Sequence, residues 1–271
     1  KEYIQFYLSK WKWFLLSFVL FFSIYAYYIK HKLPSYNVQA IVLVKDDDGG
    51  VISELSPFED LGIGIGGKGK AIENEIEILK SRFLFTKVAK ELDLNIQIFD
   101  NNNYKKNEYF INKPLDIEIK RDDSLLLNSE YEFEINCISV DKFEIKDVTT
   151  DEKQIAFFGK PFKINNINEI KIKFIDKINL NINESKYIIK IVRINEVVDN
   201  LKKSIKIEKV NKESSALSIS TKIENINKGI AIINNLIKQH KLDAIEDKNM
   251  VAKNTIIFIN DRIKYITNEL S

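Results

Sequence analysis

A single cysteine in 271 residues, Cys137, excludes an intrachain disulfide and any cysteine-built zinc cluster. It ends the alternating series Tyr131, Phe133, Ile135, Cys137 and reads as a small apolar side chain facing a core. Histidine is scarce too: His31 and His240 are the only two, far apart in the chain and accompanied by no nucleophile motif. No hydrolase or metal centre is expected from so thin a set, and no catalytic residue or cofactor can be assigned. An excess of charge of one sign is also missing, since 41 Lys and Arg face 39 Asp and Glu. A nucleic-acid partner needs a basic face to replace phosphate counterions, so none is expected. After Lys32 no apolar run reaches membrane-spanning length.

One such run does stand at the start. Residues Trp13 to Ile29 (WFLLSFVLFFSIYAYYI) carry no charge and are bracketed by Lys10 and Lys12 before and by Lys30, His31 and Lys32 after. At about 1.5 Å per residue such a helix, with its ends, crosses a hydrocarbon core of about 30 Å. Trp11 and Trp13 at one end, and Tyr27 and Tyr28 at the other, pair an apolar ring with a polar tip, the pattern of interface anchors. The run is long for the core of a signal peptide, and no small-x-small cleavage site follows it. The basic flanks are nearly equal, so charge alone does not orient the segment. The chain opens on Lys1 rather than Met, and further residues that would complete the count are expected before it.

Beyond the anchor the patterning changes three times. Tyr36 to Lys45 is rich in β-branched residues and reads as a strand. Gly, Ser and Pro then punctuate a loop up to Lys70. Ile72, Ile76, Leu79, Phe83, Val88 and Leu92 follow at helical steps, predicting one amphipathic helix from Ala71 to Leu92, with Glu73, Glu75 and Glu77 near its positive end. Ile76, Leu79 and Phe83 are its candidate core or assembly positions. Between Pro114 and Ile175 come short alternating runs: DIEI from Asp116, YEFEI from Tyr131, KFEIK from Lys142, QIAFF from Gln154, FKI from Phe162 and EIKIKFI from Glu169. These predict antiparallel strands around a single core. A mixed pattern resumes with a strand at Tyr187 to Arg193, a helix at Asn195 to Lys203, and strands at Ile205 to Lys209 and Ala216 to Thr221. A helix then runs from about Asn225 to the end. Its Ile256, Ile259, Ile263, Ile266 and Leu270 keep the three-four spacing of a helix that packs against another helix. The seam is still open at Ser271, which reads as a chain that continues.

Three local patterns suggest chemistry and fail on their surroundings. GIGIGGKG, from Gly62 to Gly69, overlays both a dinucleotide fingerprint (Gly62, Gly64, Gly67) and a P-loop (Gly62, Gly67, Lys68). A P-loop needs Ser or Thr after its lysine, where Gly69 stands, and both motifs need a strand immediately before, where SPFEDL stands. A flexible loop is the simpler reading. Asp46, Asp47 and Asp48 are adjacent rather than spaced as in a calcium loop. Glu73 and Glu77 lie one helical turn apart, as helix-surface charges do, without glycosidase chemistry.

Four stretches in this order carry a family resemblance: the N-terminal apolar helix; SYNVQAIVLVK after it; NEIEILKSRFLFTKVAKELDLN from Asn74 to Asn95; and ALSISTKIENINKGIAIINNLIKQH from Ala216 to His240, leading into the long helix. The chain resembles the polysaccharide co-polymerases, or chain-length determinant proteins, of the exopolysaccharide type associated with tyrosine autokinases. The resemblance implies an α+β fold: a membrane-anchored α/β base, an antiparallel β insert and a long C-terminal helix of coiled-coil type. The expected organisation is a cytoplasmic segment at 1–12, a transmembrane helix at 13–29, an α/β domain at 30–99 and 187–224, a β-rich insert at 100–186, and the long helix from 225 to 271. It further implies an inner-membrane protein with its body in the periplasm, a homo-oligomeric ring, and lipid, a polysaccharide polymerase and an outer-membrane export channel as partners. The family's second membrane helix is expected after Ser271, and two forms stay open there: a scaffold without a kinase, or the same domain fused to a tyrosine autokinase. A periplasmic adaptor of an exporter, or a membrane sensor, is the alternative, although the paired lipoyl-like hairpins of such an adaptor are not found.

Overall fold

The structure is a computed structural model that describes residues 10–31, 34–44, 68–101, 107–119, 129–164, 167–175, 185–211 and 214–270. It is a mixed α+β molecule with antiparallel sheets and a long C-terminal helix. The apolar run forms helix α1, Trp11–His31, and the β-branched run after it forms β1, Tyr36–Leu43. The expected single helix over 71–92 is two: α2, Lys68–Leu79, and α3, Arg82–Glu91. Ser81 makes the break, because its hydroxyl caps the second helix by accepting the Leu84 N–H at 3.2 Å. The restart changes the buried phase. Leu84, Phe85, Val88 and Ala89 are buried on α3, while Phe83, assigned to the apolar stripe in the sequence, is 65% exposed. α3 ends in a Schellman arrangement, in which Leu94 N–H reaches Ala89 O (3.0 Å) and Asp93 N–H reaches Lys90 O (3.4 Å). Asp93 takes the left-handed conformation there, φ 46°.

Two short strands that the sequence pattern does not announce follow, β2 (Ile96–Asp100) and β3 (Glu108–Tyr109). Then come β4 (Leu115–Ile119), β5 (Tyr131–Cys137), β6 (Lys142–Asp147), β7 (Lys153–Phe157), β8 (Pro161–Ile164), β9 (Ile167–Phe174) and β10 (Lys186–Ile191). The chain finishes with α4 (Ile194–Ser204), β11 (Ile205–Lys209), β12 (Ala216–Ile223) and α5 (Ile226–Leu270). α4 shows why sequence reading works where it does. Ile194, Val197, Val198 and Leu201 fill one stripe, Glu196 sits in the first turn, and Lys202 and Lys203 sit in the last, each charge facing the helix-end partial charge of opposite sign.

Two cores result. In the first, the three-stranded sheet β1-β12-β11 is covered by α2, α3, α4 and the start of α5, burying Phe85, Val88, Val198, Leu217, Ile219, Ile233 and Leu236. In the second, a six-stranded sheet of order β3-β2-β10-β5-β6-β7 shares its interior with a three-stranded sheet of order β4-β9-β8. Phe143 of β6 meets Phe162 of β8 edge-on, with ring centroids 5.7 Å apart, so side chains of both sheets interdigitate. The strand after the insert, read from sequence as resuming the mixed α/β section, lies at the centre of the six-stranded sheet: β10 pairs with β2 on one side and β5 on the other. Its side chains explain this. Ile189 and Ile191 point into the second core, and Ile188, on the opposite face, is buried as well, as suits an interior strand.

Candidate functional site

The geometry that sets this molecule apart is organised by α5, and it starts at a cap. Asn225 Oδ1 accepts the Lys228 N–H at 3.1 Å, opening the helix, while its amide donates to Glu108 O at 3.1 Å. Lys228 Nζ lies 2.5 Å from Glu108 Oε1, and both side chains are largely buried. One asparagine and one lysine therefore tie the start of α5 to β3 of the second sheet. At the next residue the helix comes very close to the first sheet. A Cβ added at Gly229 would lie 2.7 Å from Ile223 Cγ2 and 2.9 Å from Val38 Cγ2, so only glycine fits without movement.

Ile232, Ile233 and Leu236 then bury against the first core, and three polar contacts close the seam to α2 and α3. Lys238 Nζ reaches Glu91 Oε1 at 3.4 Å, His240 Nε2 approaches Glu75 Oε2 at 2.7 Å, and Lys87 Nζ approaches Asp243 Oδ1 at 2.5 Å. The His240 contact was not anticipated from sequence, because its partner lies 165 residues away. After Asp243 the cover ends. Every described side chain from Ala244 to Asn268 is exposed, including Ile256, Ile259, Ile263 and Ile266 of the three-four seam together with Val251, Ile257, Phe258 and Tyr265.

α1 is the second unburied apolar surface. It is long and apolar enough to cross a membrane, and none of the apolar stretch Trp11–Lys30 is buried within the protein. Trp11, Trp13, Tyr27 and Tyr28 are all more than half exposed. Of the candidates on the helical pair, Leu79 is in the first core and Ile76 is half-buried against it. Phe83 lies outside, its ring 4.4 Å from Lys87 Nζ. Lys68 opens α2, whereas Gly62, Gly64, Gly67 and the Asp46–Asp48 run lie outside the described residues. Cys137 is buried at the edge of the second core, and burial pushes its thiol up to about 11. Among the described residues no three His, Cys, Asp or Glu side chains are grouped to hold a metal ion.

An open cleft lies where the two sheets meet, with a volume of about 870 Å³. Its walls come from β1, β2, β3, α4 and the turn from β12 into α5, and so from residues that no local motif connects. No protein-family model matches the chain, and no curated protein matches it either.

Proposed function

We propose that this chain is the membrane-anchored periplasmic part of a polysaccharide co-polymerase of the exopolysaccharide type and forms the N-terminal region of a tyrosine autokinase. In this reading it lies in a bacterial inner membrane, with α1 as the anchor, and acts as a scaffold that sets the chain length and export of a capsular or exopolysaccharide. The family-like order of elements supports it, and one geometric observation carries it. Tyr36, at the start of β1, stands opposite Ile223, at the end of β12. α1 therefore enters, and α5 leaves, at the same end of the first sheet. Because α5 packs back over β1 and β12, it runs away from that end. With 45 residues at about 1.5 Å each it is on the order of 65 Å long, and its far half carries an uncovered apolar seam. An anchor at one end and an unburied helix directed away from it suit work by assembly rather than by bond chemistry.

In the assembly we propose, the distal parts of α5 pack against neighbouring protomers as a coiled coil. A ring follows if each protomer shows one face to a different face of the next. Membrane lipid, the polymerase and an outer-membrane channel are the remaining partners. The test is the amount and length distribution of surface and secreted polysaccharide in a strain lacking the gene, beside a complemented strain. Lost polymer or a shifted length distribution is expected, and complementation with a kinase-inactive allele then separates scaffold from enzyme. An unchanged profile overturns the reading in favour of an exporter adaptor or a sensor.

A further inference from the structure

We propose that the cleft between the two sheets is a binding site for an uncharged oligosaccharide. The inference rests on the co-polymerase reading and adds to it a place where the glycan touches this chain. Two rings from different sheets line the cleft: Tyr36 at the start of β1 and Phe99 in β2. They are brought to one cavity by the junction already described, Asn225 and Lys228 holding Glu108. Flat rings offer an apolar face to the C–H side of a pyranose, while hydroxyls require donors and acceptors at the edge. Asn200 from α4 and Lys222 from β12 supply such groups, and among the described residues their side chains make no hydrogen bond or ion pair.

Charge narrows the ligand class. Glu108 is paired with Lys228, and the other two charged residues of the lining, Lys222 and Glu224, are of opposite sign, so the cleft presents no field of one sign. That excludes the basic cradle that a polyanion or a nucleotide requires and favours neutral sugar rings. The cleft volume of about 870 Å³ lies in the range of small-molecule sites, and its place between two separately cored regions is where such sites occur. A second, smaller cleft of about 340 Å³ shares Asn200, Lys222 and Ile223 with the first, extending the same groove along α4. Position fits as well. Tyr36 follows the end of α1 by five residues, so a glycan held against it lies close to the membrane surface when α1 spans the bilayer.

The test uses the full chain in lipid nanodiscs, with cellohexaose, chitohexaose and hexagalacturonate as probes, read by saturation-transfer NMR and calorimetry. At least one neutral hexasaccharide is expected to bind, with the polyanion weaker. Tyr36→Ala and Asn200→Ala are each expected to weaken the neutral ligand at least tenfold. Both side chains are exposed, so their loss leaves folding intact, and Ile41→Ala, on the open face of the first sheet, is expected to bind as the parent does. Binding of neither neutral probe, binding of the polyanion alone, or equal binding by the parent and both cleft variants overturns the proposal. A polymer profile that changes on gene deletion while neither neutral probe binds would sink the cleft and leave the co-polymerase reading standing.

Discussion

The two halves of α5 are one continuous helix with similar residues and opposite surroundings. From Ile226 to Asp243 it is capped, pinned by a glycine contact, buried at Ile232, Ile233 and Leu236, tied by ion pairs to α3 and joined to α2 through His240 and Glu75. From Ala244 onward isoleucines recur at the same helical spacing with no described residue over them; Ile233 is 1% exposed and Ile259 49%. Hydrophobic patterning therefore records that a face is meant to be covered without recording by what. In the proximal half the cover is this chain's own sheet and helices. In the distal half no described residue supplies it, and a soluble surface seldom carries so many large apolar residues side by side without a partner.

That contrast breaks most directly in the buried half. Leu236→Ala removes a fully buried side chain at the centre of the first core and is expected to cost about 3 kcal/mol of unfolding free energy, read from denaturant midpoints of the full chain in detergent. A loss below about 1 kcal/mol would mean that the proximal half is far less covered than its contacts indicate. Gly229→Ala is the next largest. In an exposed helix the change would stabilise by about 1 kcal/mol. Here the new methyl meets Ile223 and Val38, and overpacking is expected to reverse the sign to a net loss of about 1–2 kcal/mol. A stabilised Gly229→Ala variant would show that α5 can lift from the sheet at little cost.

How far the sequence already contained this picture depends on whether a feature is local. α4 and β11 are self-contained patterns, a 3.6-residue stripe and a period-two alternation, and they stand where the pattern puts them. Ser81 broke a helix that the apolar spacing carried straight across, because one capping hydroxyl outweighs a series of residues that merely permits continuation. β3, with two residues, is too short to show any period. The strand at β10 was legible, but its pairing with β2 and β5 was not, since pairing is a property of topology and not of the strand itself. The proposed functional surfaces divide the same way: the seam of α5 is periodic and could be read, whereas the cleft draws on five separate parts of the chain and could not.

A smaller effect of opposite sign tests the proximal half from within. Asn235 is buried beside Leu236, and its Oδ1 has no hydrogen-bond partner among the described residues. An unsatisfied buried polar atom costs free energy that an apolar side chain of similar size does not, so Asn235→Leu is expected to raise stability by about 1 kcal/mol in the same unfolding measurement. A destabilised variant would show that the amide is engaged by groups outside the described residues, and would identify this point of the helix as polar by need.

The smallest expected change in stability is also the one that separates the halves most cleanly. Ile259 lies in the middle of the distal seam, half exposed and far from either core, so Ile259→Asp removes no side chain from the described cores. Its effect on unfolding of the body is expected to stay within about 0.5 kcal/mol, the ordinary range for a surface position. In the proposed assembly its effect is expected to be large, because a carboxylate placed in a helix–helix seam must be desolvated without a partner. Sedimentation of the detergent-solubilised full chain should then shift from an oligomer to the protomer while the denaturant midpoint stays fixed. A fall in body stability beyond 1 kcal/mol would mean that the distal half is already covered within the free chain, and the contrast between the halves would fail. An unchanged sedimentation profile would remove the second copy as occupant of the seam, since a buried aspartate at its centre is incompatible with that packing.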